Sequence, residues 1–495
     1  MSHKPSNYPG IQLTPIEQNG IRQYKRIAVV LPLLLTENGS SRETQTVGEE
    51  ILKAFEEAVG AWPLLCCSVG VSEDGKLILL GTPAEYDDAQ SQLRDAHDPP
   101  STESGINRLV SQLYSKSLGA AFFRSERGLD LATGMPPVMI RLSFLGGYAV
   151  VGFSFYEAVV DGEFIGRFFS RMADFTWPHM ANEVQHWYRR PLEAFPSAAL
   201  NPYLFPFYDW SNSPLPQTTP KDRLVCRLIE FKSSPVTELI GRLRQAIGNF
   251  APWHKDGYYV VAMLWATIIH ARFSKHRIGV DSTARLNILL PGEPNARRWE
   301  APDWSYFGSS TVPTVAELSV PRLLYAEAYS GDGNYSNDFQ GEINSTYSVR
   351  GLAEAASAIQ CAIDRVDGNY VRYLMGLKNS LQPSTDRTAY SRGIDRHTTG
   401  MVFEDWSGYF SDLAIGTPYT TGQVMGVLPC ADDKEEGKIV LLPQMRGSDD
   451  TENEIGWATW VCLDVEEMPV VLRELYSQGW IIGEAAASVN TTGSS

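Results

Sequence analysis

Apolar residues along this chain fall into two patterns, short unbroken runs and longer stretches that repeat every three or four positions, which separate strands from helices. Ile27 to Leu35 is an apolar run of strand length, and Val47, Ile51, Leu52, Phe55 and Val59 then share one helical face that Gly60 and Pro63 close. Leu64 to Val71 and Lys76 to Leu80 flank Glu73-Asp74-Gly75, a hairpin signal. A polar loop from Asp87 to Ser104 leads to a predicted helix carrying Ile106, Leu109, Val110 and Leu113. Val138 to Phe144 alternates, Gly146-Gly147 turns the chain, and Tyr148 to Phe155 returns as a strand.

From Arg189 to Asp222 the periodicity stops and seven prolines punctuate an aromatic stretch, the mark of a crossover segment. Leu224 to Phe231 then reads as a strand, with Ser234 as N-cap and Pro235 at the first position of the next helix. Tyr258 to Phe273 and Val349 to Val366 read as helices, and Gly422 to Pro429, Ile439 to Pro443 and Ile455 to Leu463 as strands. Asp464 is expected to cap the final helix, through Leu475. Strands and helices alternate without a βαβ period, which predicts mixed α/β architecture in α+β layers. The expected division is residues 1–200, a linker at 201–223, and residues 224–495.

The stretch Val151 to Gly162 organises the rest. It runs from strand to tight loop to helix, with Glu157 and Asp161 four apart at the junction and Gly162 available for a bend. Such a junction can aim a carboxylate into a cleft, although an acidic loop before a helix is commonly only structural.

Length bears on this choice, because 495 residues exceed one ordinary core. With 12 Trp and 22 Tyr the interior can line a cavity for an apolar small molecule. A net charge of −16 without a basic cluster argues against nucleic acid and membrane partners. The six cysteines lack CxxC spacing and the start lacks an apolar leader, so a soluble cytoplasmic protein with free thiols is expected. The eight histidines show no ligand spacing, so no metal is expected, and neither a GxSxG elbow, a P-loop nor a dinucleotide fingerprint occurs.

Several stretches, in order, carry a resemblance. Glu157-Ala158-Val159-Val160-Asp161-Gly162 occupies the slot of a His-x-x-x-Asp-Gly loop, and Asp412-Leu413-Ala414-Ile415-Gly416-Thr417-Pro418 that of Asp-Phe-Gly-Trp-Gly-Lys-Pro. Asp281 to Asn287 followed by Tyr306-Phe307-Gly308, Ala262 to Trp265, and Gly456 to Trp460 supply weaker matches in the same register. Over nearly its whole length the chain thus resembles the BAHD acyltransferases, in particular the fungal branch typified by trichothecene 3-O-acetyltransferase.

The resemblance implies two similar chloramphenicol-acetyltransferase-like domains around a central tunnel, a monomer, and a small-molecule substrate. In the family the loop histidine takes a proton from an alcohol or amine that attacks an acyl-CoA, and the Asp of the loop orients structure. Carried over by position, Glu157 and Asp161 are the catalytic-loop residues. Phe155, Tyr156, Asn287, Tyr306, Trp406 and Tyr409 are the candidate substrate-binding residues. Gly162, Arg285, Asp412 and Gly416 are structural, with Arg285 pairing Asp412.

The departure is Glu157 itself, since a carboxylate of ordinary pKa, about 4.3, is a weak base at neutral pH. Three readings stay open. The first is an enzyme of secondary metabolism, without cofactor, that cyclises (including a pericyclic step) or isomerises a polyketide or terpenoid. The second is an acyl-CoA-dependent acyltransferase with Glu157 as base, and the third a non-catalytic binding protein.

Overall fold

Two sheets organise the molecule in a computed structural model, which describes residues 11–18, 22–33, 41–80, 96–97, 131, 134–145, 148–176, 204–211, 213–248, 255–290, 309, 311–325, 348–381, 383–408, 424, 426–430, 432–443 and 455–481. The first half contributes β1 (Ile11–Gln12), α1 (Pro15–Gln18), β2 (Tyr24–Pro32), α2 (Ser41–Ala61), β3 (Ser68–Val71), β4 (Leu77–Leu80), β5 (Ala96–His97), β6 (Val138–Leu145), β7 (Tyr148–Tyr156) and α3 (Gly162–Thr176). The second contributes β8 (Leu224–Lys232), α4 (Ser233–Ile247), α5 (Asp256–Ser274), β9 (Thr283–Leu290), β10 (Val312–Ser319), α6 (Val320–Tyr325), α7 (Val349–Asp364), α8 (Gly368–Ser380) and α9 (Pro383–Gly393). It ends with β11 (Gly400–Asp405), β12 (Gly426–Pro429), β13 (Lys438–Leu441), β14 (Ile455–Asp464) and α10 (Met468–Ser477).

One of these sheets has the order β12-β2-β7-β6-β5 and the other β10-β9-β11-β13-β14-β8, and a small third sheet pairs β1-β4-β3. β12 is the exception to a division into halves. It comes from the far end of the chain yet pairs antiparallel with β2, Gly426 opposite Val30 and Pro429 opposite Ile27.

The six-stranded sheet is covered on both faces, and the strand period of two decides which side each residue serves. Along β14, Ala458, Trp460 and Cys462 join the core formed with β2, β7 and α3. Val461 and Leu463 between them join the core under α4, α5 and α7. Helix α5 is buried along nearly its whole length, from Gly257 to Ile269, which explains why its sequence is apolar all round instead of striped. Among the described residues no helix is long and apolar enough to cross a membrane.

Most predicted elements are present, with shifts at their ends. The hairpin of β3 and β4 turns at Ser72 to Lys76, with Gly75 at φ 79°. Helix α4 begins one residue before the expected cap: Lys232 is its N-cap, and Ser234 and Pro235 lie inside the first turn. Asp464 ends β14 and accepts the Glu466 N–H at 2.8 Å, while α10 starts at Met468 behind Glu467. Strands β9, β10 and β11 carry no clean alternation, because both faces are buried, and the sequence reading did not assign them. The predicted helix at Ile106 to Leu113 lies outside the described residues.

Candidate active site

The loop after β7 is built by local hydrogen bonding. Val159 and Val160 N–H groups both donate to the Tyr156 carbonyl, at 2.9 and 3.1 Å, which closes a tight turn. The Glu157 N–H donates to the Gln23 carbonyl at 3.0 Å and ties that turn to the start of β2. Asp161 then caps α3: its Oδ1 accepts the Phe164 N–H at 2.9 Å, satisfying an otherwise unpaired donor of the first turn. Gly162 simply opens the helix, and the glycines with positive φ among the described residues lie elsewhere.

Aromatic packing fixes the helix behind the loop. Phe168 and Phe169 meet Phe153 and Phe155 with ring centroids 4.8 to 6.3 Å apart, and Trp62 stacks edge-on against Phe164 at 5.2 Å. Phe155 is fully buried in this cluster. Tyr156, on the next position of the pleat, packs against Tyr24 at 5.3 Å, and among the described residues its buried hydroxyl has no hydrogen-bond partner.

Glu157 opens on a cavity of about 280 Å³ whose wall includes Gln23, Tyr24, Lys25, Trp406, Lys438 and Trp460. This wall draws on both sheets. Lys25 stands on β2, Trp406 just beyond β11, Lys438 at the head of β13 and Trp460 on β14. Gly437, at φ 71° and close against the Gly400 carbonyl, makes the turn that brings Lys438 into place.

A buried charge network lies against the cavity. Glu404 receives Lys25 Nζ at 2.7 Å and the Trp406 Nε1–H at 3.0 Å on Oε2, and Lys438 Nζ at 2.9 Å on Oε1. Lys438 also reaches Glu435 at 3.4 Å, and Glu435 pairs with Arg396 at 3.4 Å. Burial opposes the charge on Glu404, but Lys25 and Lys438 outweigh it and hold the carboxyl well below the usual range. Glu435 is likewise lowered to about 2, burial being overcome by Lys438 and Arg396.

Glu157 goes the other way. Burial dominates and pushes its carboxyl up to about 7, against the pull of Lys25 and Lys438 and with a further push from Glu404 and Glu435. A carboxyl poised there is half ionised at neutral pH and can take or give a proton.

Of the residues singled out from sequence, Glu157 and Trp406 share the cavity wall. Asn287 is fully buried on β9, donating Nδ2–H to the Met401 carbonyl at 3.2 Å, with Oδ1 unpartnered among the described residues. The Arg285 guanidinium is engaged by Glu317 at 2.8 Å and by the Gly393 and Pro206 carbonyls at 3.1 and 2.6 Å. Tyr306, Tyr409, Asp412 and Gly416 lie outside the described residues. Sequence reasoning missed Lys25, Glu404, Glu435 and Lys438. The available signal was an ionisable residue set in an apolar run, as with Glu404 after Met401-Val402-Phe403 and Lys438 before Ile439-Val440-Leu441. Among the described residues no cluster suited to a metal ion occurs.

This architecture is the BAHD acyltransferase fold, a chloramphenicol-acetyltransferase-like arrangement. The chain is similar in structure to F. graminearum TRI101 complexed with coenzyme A and T-2 mycotoxin, at TM-score 0.69 and 12% identity over 96% of this chain and 99% of that one. It is also similar to the TRI3 trichothecene 15-O-acetyltransferase from Fusarium sporotrichioides, at TM-score 0.57 and 11% identity over 94% of each chain. Vinorine synthase aligns at TM-score 0.56 and 13% identity, over 96% of this chain and 95% of its own. No protein-family model and no curated protein sequence matches the chain.

Proposed function

We propose that this protein is an enzyme of secondary metabolism that transfers an acyl group from acyl-CoA to an alcohol or amine, with Glu157 as general base. The observation that carries the reading is Glu157 at the start of the β7–α3 loop, facing a cavity walled from both sheets, with its carboxyl raised to about 7. The weakness of an ordinary carboxylate as a base disappears at that value, which is close to the ~6.5 of an imidazole. Structures of similar fold are bound to coenzyme A with T-2 mycotoxin or with deoxynivalenol, which supports a small-molecule acceptor and a CoA donor.

In the proposed step the acceptor oxygen or nitrogen bonds to the thioester carbonyl carbon while Glu157 takes its proton. The C–S bond then breaks and Glu157 returns the proton to the departing sulfur, leaving an ester or amide and a free thiol. Asp161 shapes the loop through the cap of α3 and takes no part in the proton transfer.

A second reading is favoured by the protonated half of the Glu157 population. As a neutral acid in a buried setting it could donate a hydrogen bond to a carbonyl of a polyketide or terpenoid and promote CoA-independent cyclisation or isomerisation. Calorimetry with acetyl-CoA and thiol release over a panel of hydroxylated and amine acceptors separates the two. The first reading expects micromolar binding, turnover, a loss of about 10²–10⁴-fold in Glu157→Gln, and retained turnover in Glu157→His. Absence of both binding and thiol release sinks it. The second then stands only if consumption of an unsaturated precursor is lost in Glu157→Gln.

A further inference from the structure

The cations beside Glu157 pose a problem for any proton-transferring role. Lys25 from β2 and Lys438 from β13 both act on its charge, and a carboxylate ion-paired with a lysine is a poor base and is rarely protonated. Among the described residues, however, the ion pairs of Lys25 and Lys438 go to Glu404 and Glu435, and none goes to Glu157.

We propose that Glu404 is a positioning residue for Glu157: it engages Lys25 with one carboxylate oxygen and Lys438 with the other, so that neither lysine ion-pairs with the Glu157 carboxyl. The geometry suits this task. Glu404 is 5% exposed, lies at the point where β11 faces β2, and has each oxygen occupied, at 2.7 and 2.9 Å, by a different lysine. The Trp406 Nε1–H on Oε2, at 3.0 Å, fixes the carboxylate plane, and the Trp406 ring lies 5.5 Å from the Lys25 ammonium. Lys438 is further drawn aside by Glu435, itself held by Arg396.

Around Glu157, β2 presents Lys25 and Arg26, β11 presents Glu404, and β13 presents Lys438. The turn before β13 presents Asp433, Lys434 and Glu435, and the segment before β8 presents Lys221. Arg26 is taken by Asp433 at 3.2 Å, and Lys434 donates to the Leu224 carbonyl at 2.5 Å. Glu404 is thus the group that both lysines share: its removal takes from Lys25 its ion pair and leaves Lys438 with Glu435 alone. The effect on Glu157 has a definite sign, because losing a nearby carboxylate and loosening the hold on the lysines both favour the ionised form.

The proposal deepens the general-base reading of Glu157 and rests on it, but its test does not require a substrate. In protein labelled with carboxyl-¹³C glutamate, the Glu157 resonance is assigned by its loss in Glu157→Gln and titrated between pH 4 and 9. Glu404→Gln is expected to move the Glu157 midpoint down by about one pH unit or more, a tenfold change in the ionised-to-protonated ratio. Lys25→Met is expected to move it up, and this second variant serves if Glu404→Gln does not fold. An unchanged midpoint in a folded Glu404→Gln, or in Lys25→Met, overturns the proposal; so does a Glu404→Gln shift that is as large in the Lys25→Met background as in the wild type, because the direct effect of the Glu404 charge persists there while the release of Lys25 does not. If the midpoints move as expected while Glu157→Gln keeps full acyl transfer, the positioning role holds and the general-base reading fails.

Discussion

Replacing Glu157 with Gln should stabilise the protein at high pH. A carboxyl raised from 4.5 to about 7 by folding contributes stability that is present below 4.5 and lost as pH rises through 7. Gln is neutral at every pH and escapes that loss. At about 1.36 kcal/mol per tenfold change in proton affinity, the rise corresponds to about 3 kcal/mol, and partial exposure of the side chain trims it to about 2. The counter-pull of Lys25 and Lys438 is already contained in the value of about 7.

For a chain of 495 residues the entropy of unfolding is about 1 kcal/mol per degree, so the effect is about 2 °C in melting temperature. Scanning calorimetry of wild type and Glu157→Gln at pH 5 and pH 8.5 reads it directly. The difference between the two proteins should grow by about 2 °C in favour of Gln at the higher pH. If Gln loses stability at pH 8.5, Glu157 is an ion-paired carboxylate of ordinary acidity and the acid–base reasoning is wrong.

Further outcomes follow from the same geometry. If Glu157 is a base, kcat/KM for acyl transfer should rise with pH and level off above about 7, whereas a fall across that range would mark it as an acid. Asp161→Ala should cost about 1 kcal/mol by uncapping α3, and Asp161→Asn should restore most of it; equal losses in denaturant titrations would refute the capping role. Arg272→Met should cost about 3–5 kcal/mol, because the fully buried pair with Glu467 at 3.2 Å and the bonds to the Thr398 and Gly400 carbonyls are lost together. A change in urea midpoint equivalent to less than about 1 kcal/mol would show that Arg277, already on Glu467, suffices alone.

The strand, loop and helix around Glu157 were legible because each is local. Tyr148 to Phe155 is an apolar run, and Phe164, Phe168 and Phe169 repeat at helical spacing, so the junction could be placed without knowing what surrounds it. The charge network was not legible in the same way. Lys25 and Glu404 are 379 residues apart, and nothing near either one indicates the other. Lys25, at the edge of an apolar strand, reads as an ordinary solvated cation until sheet packing covers it. Phe155 shows the converse. Its place beside the loop suggested contact with substrate, but the pleat turns it toward α3 and leaves Tyr156 on the alternate position.

Strand β12 also bears on the birth of the chain. The edge of β2 that receives it is synthesised roughly 400 residues before Gly426 emerges, about 20–80 s earlier at ordinary rates of translation. Throughout that interval Ile27 to Val30 present unsatisfied backbone groups on an apolar strand, a template for any other extended segment nearby. A ribosome-bound nascent chain stopped before residue 426 would therefore be expected to recruit holdase chaperones, and to release them once Gly426 to Pro429 have closed the edge.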